Sequence, residues 1–114
     1  MARTKRIYDE PTDDDGIRVL ADRLWPRGVS KEDARLDDWA KELAPSDELR
    51  RWYHHDPARF EKFAERYRAE LENRPDLSDW RERASHQTVT LLTASKDLEH
   101  AHVSVLAQVL TETD

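Results

Sequence analysis

A short cationic segment, residues 23–28, contains side chains that could bind an anion. Arg23 and Arg27 lie on either side of a Trp25-Pro26 pair, and Gly28 follows directly. Arginine presents a planar fork of N–H donors that suits carboxylate or phosphate, and the fixed backbone angle of proline holds Arg27 near the turn. The chain has only two glycines, so we expect Gly28 to serve a backbone conformation that other residues avoid. The segment predicts a site for an anion or a small polar molecule.

Other side chains are expected to join the two arginines. Lys96 lies in a predicted turn before the last helix, and we assign it to the same anion, with Lys41 and Arg50 in support. Trp25 is expected to form a wall of the pocket, where an indole ring can stack on a flat ligand or cover the end of the sheet. Ser46 is included among the predicted ligand-binding residues. It is predicted to cap a helix, and a role as nucleophile is the less common alternative.

His102 is the candidate for a catalytic role. It lies on the apolar face of the predicted last helix, close to its start, where the helix dipole disfavours an imidazolium. A neutral histidine there could act as a general base or as a hydrogen-bond partner. The alternative is a buried histidine that bonds a backbone carbonyl. The pairs His54-His55 and His100-Ala101-His102 lack the helical spacing of shared metal ligands, so we predict no metal and no cofactor.

Acidic neighbours leave a second interpretation open. The four aspartates that could neutralise these cations are Asp22, Asp37, Asp38 and Asp97. Structural ion-pair networks imitate binding sites in this way. Under that interpretation the cluster is structural, and the chain is a non-catalytic interaction or regulatory module. The sequence does not decide between an enzyme and such a module.

Length and composition narrow the classes of function. The chain has 114 residues, which predicts one domain over 1–114, and it has no cysteine. Its net charge of −6 argues against nucleic acid as a partner. No apolar run reaches the ~18 residues that cross a membrane, and no secretion signal precedes the first strand, so we expect no membrane partner and a cytoplasmic location. The oligomeric state stays open.

The periodicity of apolar residues predicts a small α/β domain. Strands are expected at 5–8, 17–24 and 88–93, and 37–43 is ambiguous between a strand and a helical turn. Helices are expected after Ser46, after Asp56-Pro57, around 77–84 and after Lys96. The order predicts a single three-layer α/β domain with a mainly parallel sheet flanked by helices. In such sheets ligands bind beyond the carboxyl ends of the strands, where the cationic segment and the Lys96 turn both fall.

Several strings of this sequence together resemble the YeaO-like family, domain of unknown function 488. The strings are 6–9 (RIYD), 16–28 (GIRVLADRLWPRG), 38–46 (DWAKELAPS), 63–71 (FAERYRAEL) and 91–97 (LLTASKD). The resemblance runs in order through almost the whole chain. It implies a small cytoplasmic α/β domain of prokaryotes and transfers no catalytic residues. Where family members often have Asn-His-Ala, this chain has Ala101-His102-Val103.

Overall fold

Two buried strands at the centre of one parallel sheet organise the structure. The computed structural model describes residues 1–112. Its strands are β1 (Ala2–Arg6), β2 (Ile17–Leu20), β3 (Asp38–Trp39) and β4 (Val89–Thr93). All four are parallel, in the order β1-β4-β2-β3. Because β2 and β4 are parallel neighbours, the residues that follow them meet at one edge of the sheet.

Helices and short 3-10 turns connect the strands. The helices are α1 (Lys31–Ala34), α2 (Asp47–Tyr53), α3 (Phe60–Glu72), α4 (Leu77–His86) and α5 (His102–Thr111). The 3-10 turns are Asp13–Asp15, Lys41–Leu43, Pro57–Arg59 and Leu98–His100. Within residues 1–112, no helix combines the length and apolarity that crossing a membrane requires.

The alternating side chains of the central strands build a core on each face of the sheet. Val19 and Leu91 point to the larger core, which contains the buried faces of α2 to α5. Leu20 and Leu92 point to the smaller core, which Ala34 of α1 and the neighbouring loop close. The predicted α/β class with a parallel sheet is confirmed. The sheet is covered on both faces, as parallel sheets generally are.

The observed bounds of the first three strands differ from the predicted ones, because hydrogen bonding between strand backbones sets them and the pattern of apolar residues does not. The first strand is Ala2–Arg6 rather than 5–8, because its register pairs Ala2 with Val89 and Arg6 with Thr93. The second strand ends at Leu20 rather than at residue 24. The ambiguous 37–43 segment contains a two-residue strand and then a 3-10 turn.

The last helix begins at His102, after a separate turn that the sequence pattern does not distinguish from the helix. The side chain of Asp97 accepts a hydrogen bond from the backbone of His100, which caps the turn Leu98–His100. Ala101 then has an extended backbone, with φ −97° and ψ 157°. His102 is therefore the first helical residue of α5, next to the sheet edge.

The two glycines meet different demands. Gly28 has φ +75° and open space where a side chain would begin, so only its backbone angle requires glycine. Gly16 has φ +63°, and a Cβ there would lie 2.3 Å from the carbonyl oxygen of Thr88. That same oxygen accepts the backbone N–H of Ile17 at 2.9 Å, at the start of β2. Gly28 thus has the backbone reason that the sequence suggests.

Candidate functional site

A cavity of about 410 Å³ opens where β2 and β4 end. Its walls come from the segment after β2, the residues after β4, the ends of α2 and the start of α5. This is the edge at which open parallel sheets bind ligands, and the volume lies within the range of small-molecule pockets. Three features of the lining could select a ligand: a set of arginines, a buried carboxylate and an aromatic wall.

The loop of residues 22–29 is fixed by side chains from outside and within it. Trp39 donates its indole N–H to the carbonyl of Asp22 at 2.7 Å, and Trp25 donates to the carbonyl of Val29 at 2.7 Å. The hydroxyl of Tyr8 donates to the carbonyl of Arg27 at 3.0 Å. Because each bond anchors a backbone carbonyl, the loop holds its shape, and its residues 22–27 line the cavity.

Three arginines of the lining, Arg23, Arg27 and Arg50, form what we call the arginine rim. Arg23 donates to the carbonyl of Pro45 at 3.2 Å, and its Nε lies 3.4 Å from Asp47 Oδ1. Arg50 reaches the same carboxylate oxygen at 3.3 Å. The exposed guanidinium of Arg27 has no partner within residues 1–112. Arg27 is therefore the rim cation whose charge is available to a ligand.

Asp22 is the buried carboxylate of the cavity. Its Oδ1 accepts the hydroxyl of Thr93 at 2.8 Å, and its Oδ2 accepts the backbone N–H of Ala94 at 2.8 Å. Nε2 of His102 lies 3.2 Å from Oδ1. Burial would raise the pKa of Asp22, but the hydrogen bond and charge of His102 oppose it. The bonds from Ala94 and Thr93 add to that effect, so the pKa lies below its ordinary value and the carboxylate is ionised at neutral pH.

His102 faces two acceptors through one ring nitrogen. Nε2 is 2.9 Å from the carbonyl oxygen of Ala21 as well as near the carboxylate of Asp22. A backbone carbonyl only accepts, so Nε2 carries the hydrogen. The contact with Ala21 is the one expected of a structural histidine, although His102 also lines the cavity. A general base would have to use the other nitrogen, Nδ1.

Aromatic side chains form another part of the lining. The rings of Tyr53 and Phe63 stack with centroids 4.2 Å apart, and both line the cavity. The hydroxyl of Tyr53 donates to the carbonyl of His100, which joins α2 to the turn before α5. His55 also lines the cavity. It follows His54, and both have left-handed backbones, with φ +53° and +46°.

The structure separates the residues predicted for the site into two groups. Five line the cavity: Arg23, Trp25, Arg27, Arg50 and His102. Three do not. Lys41 lies over the ring of Trp39, 3.9 Å from its centroid. Ser46 caps α2 and donates to Glu70 at 2.6 Å. Lys96 is exposed and lies outside the lining, although Ser95 belongs to it.

Sequence reasoning missed the residues that complete the cavity. Asp22 is predicted only as a neutralising partner, and Tyr53 and Phe63 are not among the predicted site residues. One signal could have found Asp22: it stands two residues beyond a buried strand, where parallel sheets place ligand contacts. Tyr53 gives no such signal, because its position depends on how α2 packs.

The fold and cavity define a small parallel α/β domain with a ligand-sized cavity at the carboxyl edge of its sheet. The chain belongs to the DUF488 family: the model described as "Inactive DUF488-N3 subclade" matches residues 1–113. The family resemblance seen in the sequence is thereby confirmed.

Relatives of similar length support the assignment. The chain is 46% identical over 108 residues to an uncharacterized protein of Mycobacterium tuberculosis (strain H37Rv). The aligned residues cover 95% of this chain and 92% of the relative. An uncharacterized protein of Mycobacterium bovis has the same identity and coverage. The uncharacterized protein YeaO of Escherichia coli (strain K12) is 42% identical over 107 residues, 93% of each chain. No solved structure matches the chain.

Proposed function

We propose that this protein is a non-catalytic binding domain for a small molecule with a flat apolar body and an anionic group. The observation that carries the proposal is the cavity of about 410 Å³, which combines an aromatic wall with the arginine rim. Pockets that bind small molecules typically have this composition, with mainly apolar walls and a few placed charges.

The arginine rim supports an anionic group on the ligand. Two of its members share the carboxylate of Asp47, at 3.4 Å for Arg23 and 3.3 Å for Arg50. One carboxylate against two guanidinium groups leaves positive charge, and Arg27 adds another cation without a partner in residues 1–112. A carboxylate or phosphate would satisfy the fork of Arg27 with charge-assisted hydrogen bonds.

The aromatic wall supports a flat body. Tyr53 and Phe63 stack on each other and are held rigid by burial, so the ring edges that line the cavity offer a fixed apolar surface. Small apolar residues, Ala44 and Ala101, complete this part of the lining. A planar ligand gains contact area there without immobilising flexible side chains.

The bonding of Asp22 and His102 favours binding over catalysis. Asp22 already accepts bonds on both oxygens, and Nε2 of His102 is engaged by the carbonyl of Ala21. A carboxylate with a lowered pKa is a weak base, so proton abstraction by Asp22 is disfavoured. The family model's own description, "Inactive DUF488-N3 subclade", points the same way.

Calorimetric titration with 2-naphthoate, a flat anion, tests the proposal. We expect saturable binding to the wild type and a loss of about 10-fold or more in affinity for Arg27→Ala, because one charge-assisted interaction is removed. Arg51→Ala is the matched control, since Arg51 is an exposed arginine of α2 outside the cavity. Equal losses in both variants would show attraction to net charge only and would contradict the proposal.

The structural-network alternative makes a different prediction. If the cations serve stability alone, no naphthoate binds and Arg27→Ala lowers the melting temperature by several degrees. The guanidinium of Arg27 is exposed and has no partner within residues 1–112, so we expect a shift close to that of Arg51→Ala instead.

A further inference from the structure

The carboxylate of Asp22 has an acceptor position left over. An ionised carboxylate offers about four lone-pair positions. Thr93 donates to Oδ1, and the N–H that His102 shares with the carbonyl of Ala21 also approaches Oδ1. Ala94 donates to Oδ2. No further donor within residues 1–112 reaches Oδ2. The side chain lines the cavity and keeps 17% of its surface exposed.

The cavity therefore contains two opposite charges at different depths. The ionised carboxylate of Asp22 is largely buried beside the carboxyl end of the sheet. Arg27 and Arg50 are exposed, at the opening. A purely anionic ligand that fills the cavity would bring an acceptor or an apolar edge against Asp22, and either one leaves a buried charge without its full set of donors.

We propose that Asp22 is a specificity-determining residue that selects ligands carrying an N–H donor, so that the ligand class is a flat molecule with an amino group at its inner end and an anion at its outer end. The inference rests on the proposed function. It adds the polarity of the ligand: the donor meets Oδ2 of Asp22, and the anion meets the arginine rim. The single Nε2–H of His102 lies between the carbonyl of Ala21 and Oδ1, so it leaves Oδ2 to the ligand.

A pair of matched probes tests the donor requirement in the wild-type protein. 6-Amino-2-naphthoate and 6-methyl-2-naphthoate have nearly the same shape and the same anion, but only the first carries N–H donors. Calorimetric titration should show the amino compound binding about 10-fold or more tightly, as expected for a hydrogen bond to a charged acceptor. The comparison needs no variant, so it does not depend on the folding of a mutant.

Asp22→Asn then assigns the preference to this side chain. The amide keeps the shape of the carboxylate but loses its charge and one of its acceptor oxygens, so the ratio between the two probes should fall to about 1. Circular dichroism checks that the variant is folded, and the wild-type ratio decides the matter if it is not. A ratio that persists in folded Asp22→Asn would overturn the assignment.

The outcomes separate this inference from the proposed function. Equal affinity of the two probes for the wild type, with both weakened by Arg27→Ala, would end the inference and leave the proposed function standing. Failure of both probes to bind would end both. Preference for the amino compound that disappears in Asp22→Asn and overall weakening in Arg27→Ala would support both.

Discussion

Replacing Thr93 by valine tests whether the buried carboxylate is held as the structure indicates. Thr93 is 1% exposed, and its hydroxyl donates to Asp22 Oδ1 at 2.8 Å and accepts from the backbone of Ser95 at 3.2 Å. A hydrogen bond to a charged group contributes about 1.5–3 kcal/mol and a neutral one about 0.5–1.5 kcal/mol. Valine has nearly the same shape and adds a buried methyl group, worth up to about 0.8 kcal/mol. The net loss should be about 2 kcal/mol.

Urea unfolding followed by tryptophan fluorescence measures this loss, and the slope of the transition should not change. In a thermal scan it corresponds to roughly 8 °C for a domain of this size. Thr90→Val is the control, because Thr90 is equally buried in the same strand but donates only to the neutral carbonyl of Asp15, at 2.6 Å. After the same allowance for the added methyl group, it should lose about 0.7 kcal/mol or less. A loss below about 0.5 kcal/mol for Thr93→Val, or one no larger than the control's, would refute this account of Asp22.

Three further predictions concern stability. Gly16→Ala should lower the free energy of unfolding by about 3 kcal/mol or more, because the added methyl group brings backbone strain and overlaps a carbonyl. Gly28→Ala should lower it by about 1–2 kcal/mol, from backbone strain alone. Equal urea midpoints for the two variants would contradict this difference. Ser46→Ala removes a helix cap and a bond to Glu70, so its melting temperature should fall by an amount equivalent to about 2 kcal/mol, and an unchanged value would argue against that role. Burial raises the pKa of Asp15, but its hydrogen bonds outweigh this and lower it, so its contribution is present above about pH 4 and is lost as the pH falls further. Urea midpoints between pH 3 and 7 should show that loss in the wild type and a flatter profile in Asp15→Asn; parallel profiles would exclude this group.

The sequence was most informative where burial determines both pattern and structure. The segment 88–93 is β-branched and apolar, and the structure places Val89–Thr93 as a fully buried strand. At the sheet edge the pattern misleads, because β1 gains its pairing from the β4 backbone and not from burial of both faces. Its charged residues find local partners: Lys5 pairs with Asp15 at 3.1 Å, and Arg6 donates to the carbonyl of Ser95 at 3.2 Å. Such partners cannot be inferred from the strand's own sequence.

For the cavity, the sequence located the arginine rim better than the buried carboxylate. Arg23 and Arg27 follow a strand and a proline turn, and both facts can be inferred locally. The partners of Asp22, Thr93 and Ala94, lie 71 and 72 residues away in sequence. They meet it only because β4 lies next to β2, and the order of strands in a sheet is not encoded in any one segment.

Backbone strain at the cavity wall could not have been foreseen from the sequence. His54 and His55 are consecutive non-glycine residues with φ +46° and +53°, a conformation that costs about 1–2 kcal/mol per residue. A turn selected for stability alone would favour glycine or asparagine after α2. His54 caps the helix, with its N–H bonded to the carbonyl of Arg50, whereas the second left-handed residue ends no helix. It places the imidazole of His55 in the cavity lining beside Tyr53, with ring centroids 6.2 Å apart. Strain of this kind persists where the surrounding structure maintains it, and here it fixes the position of the imidazole at the cavity wall.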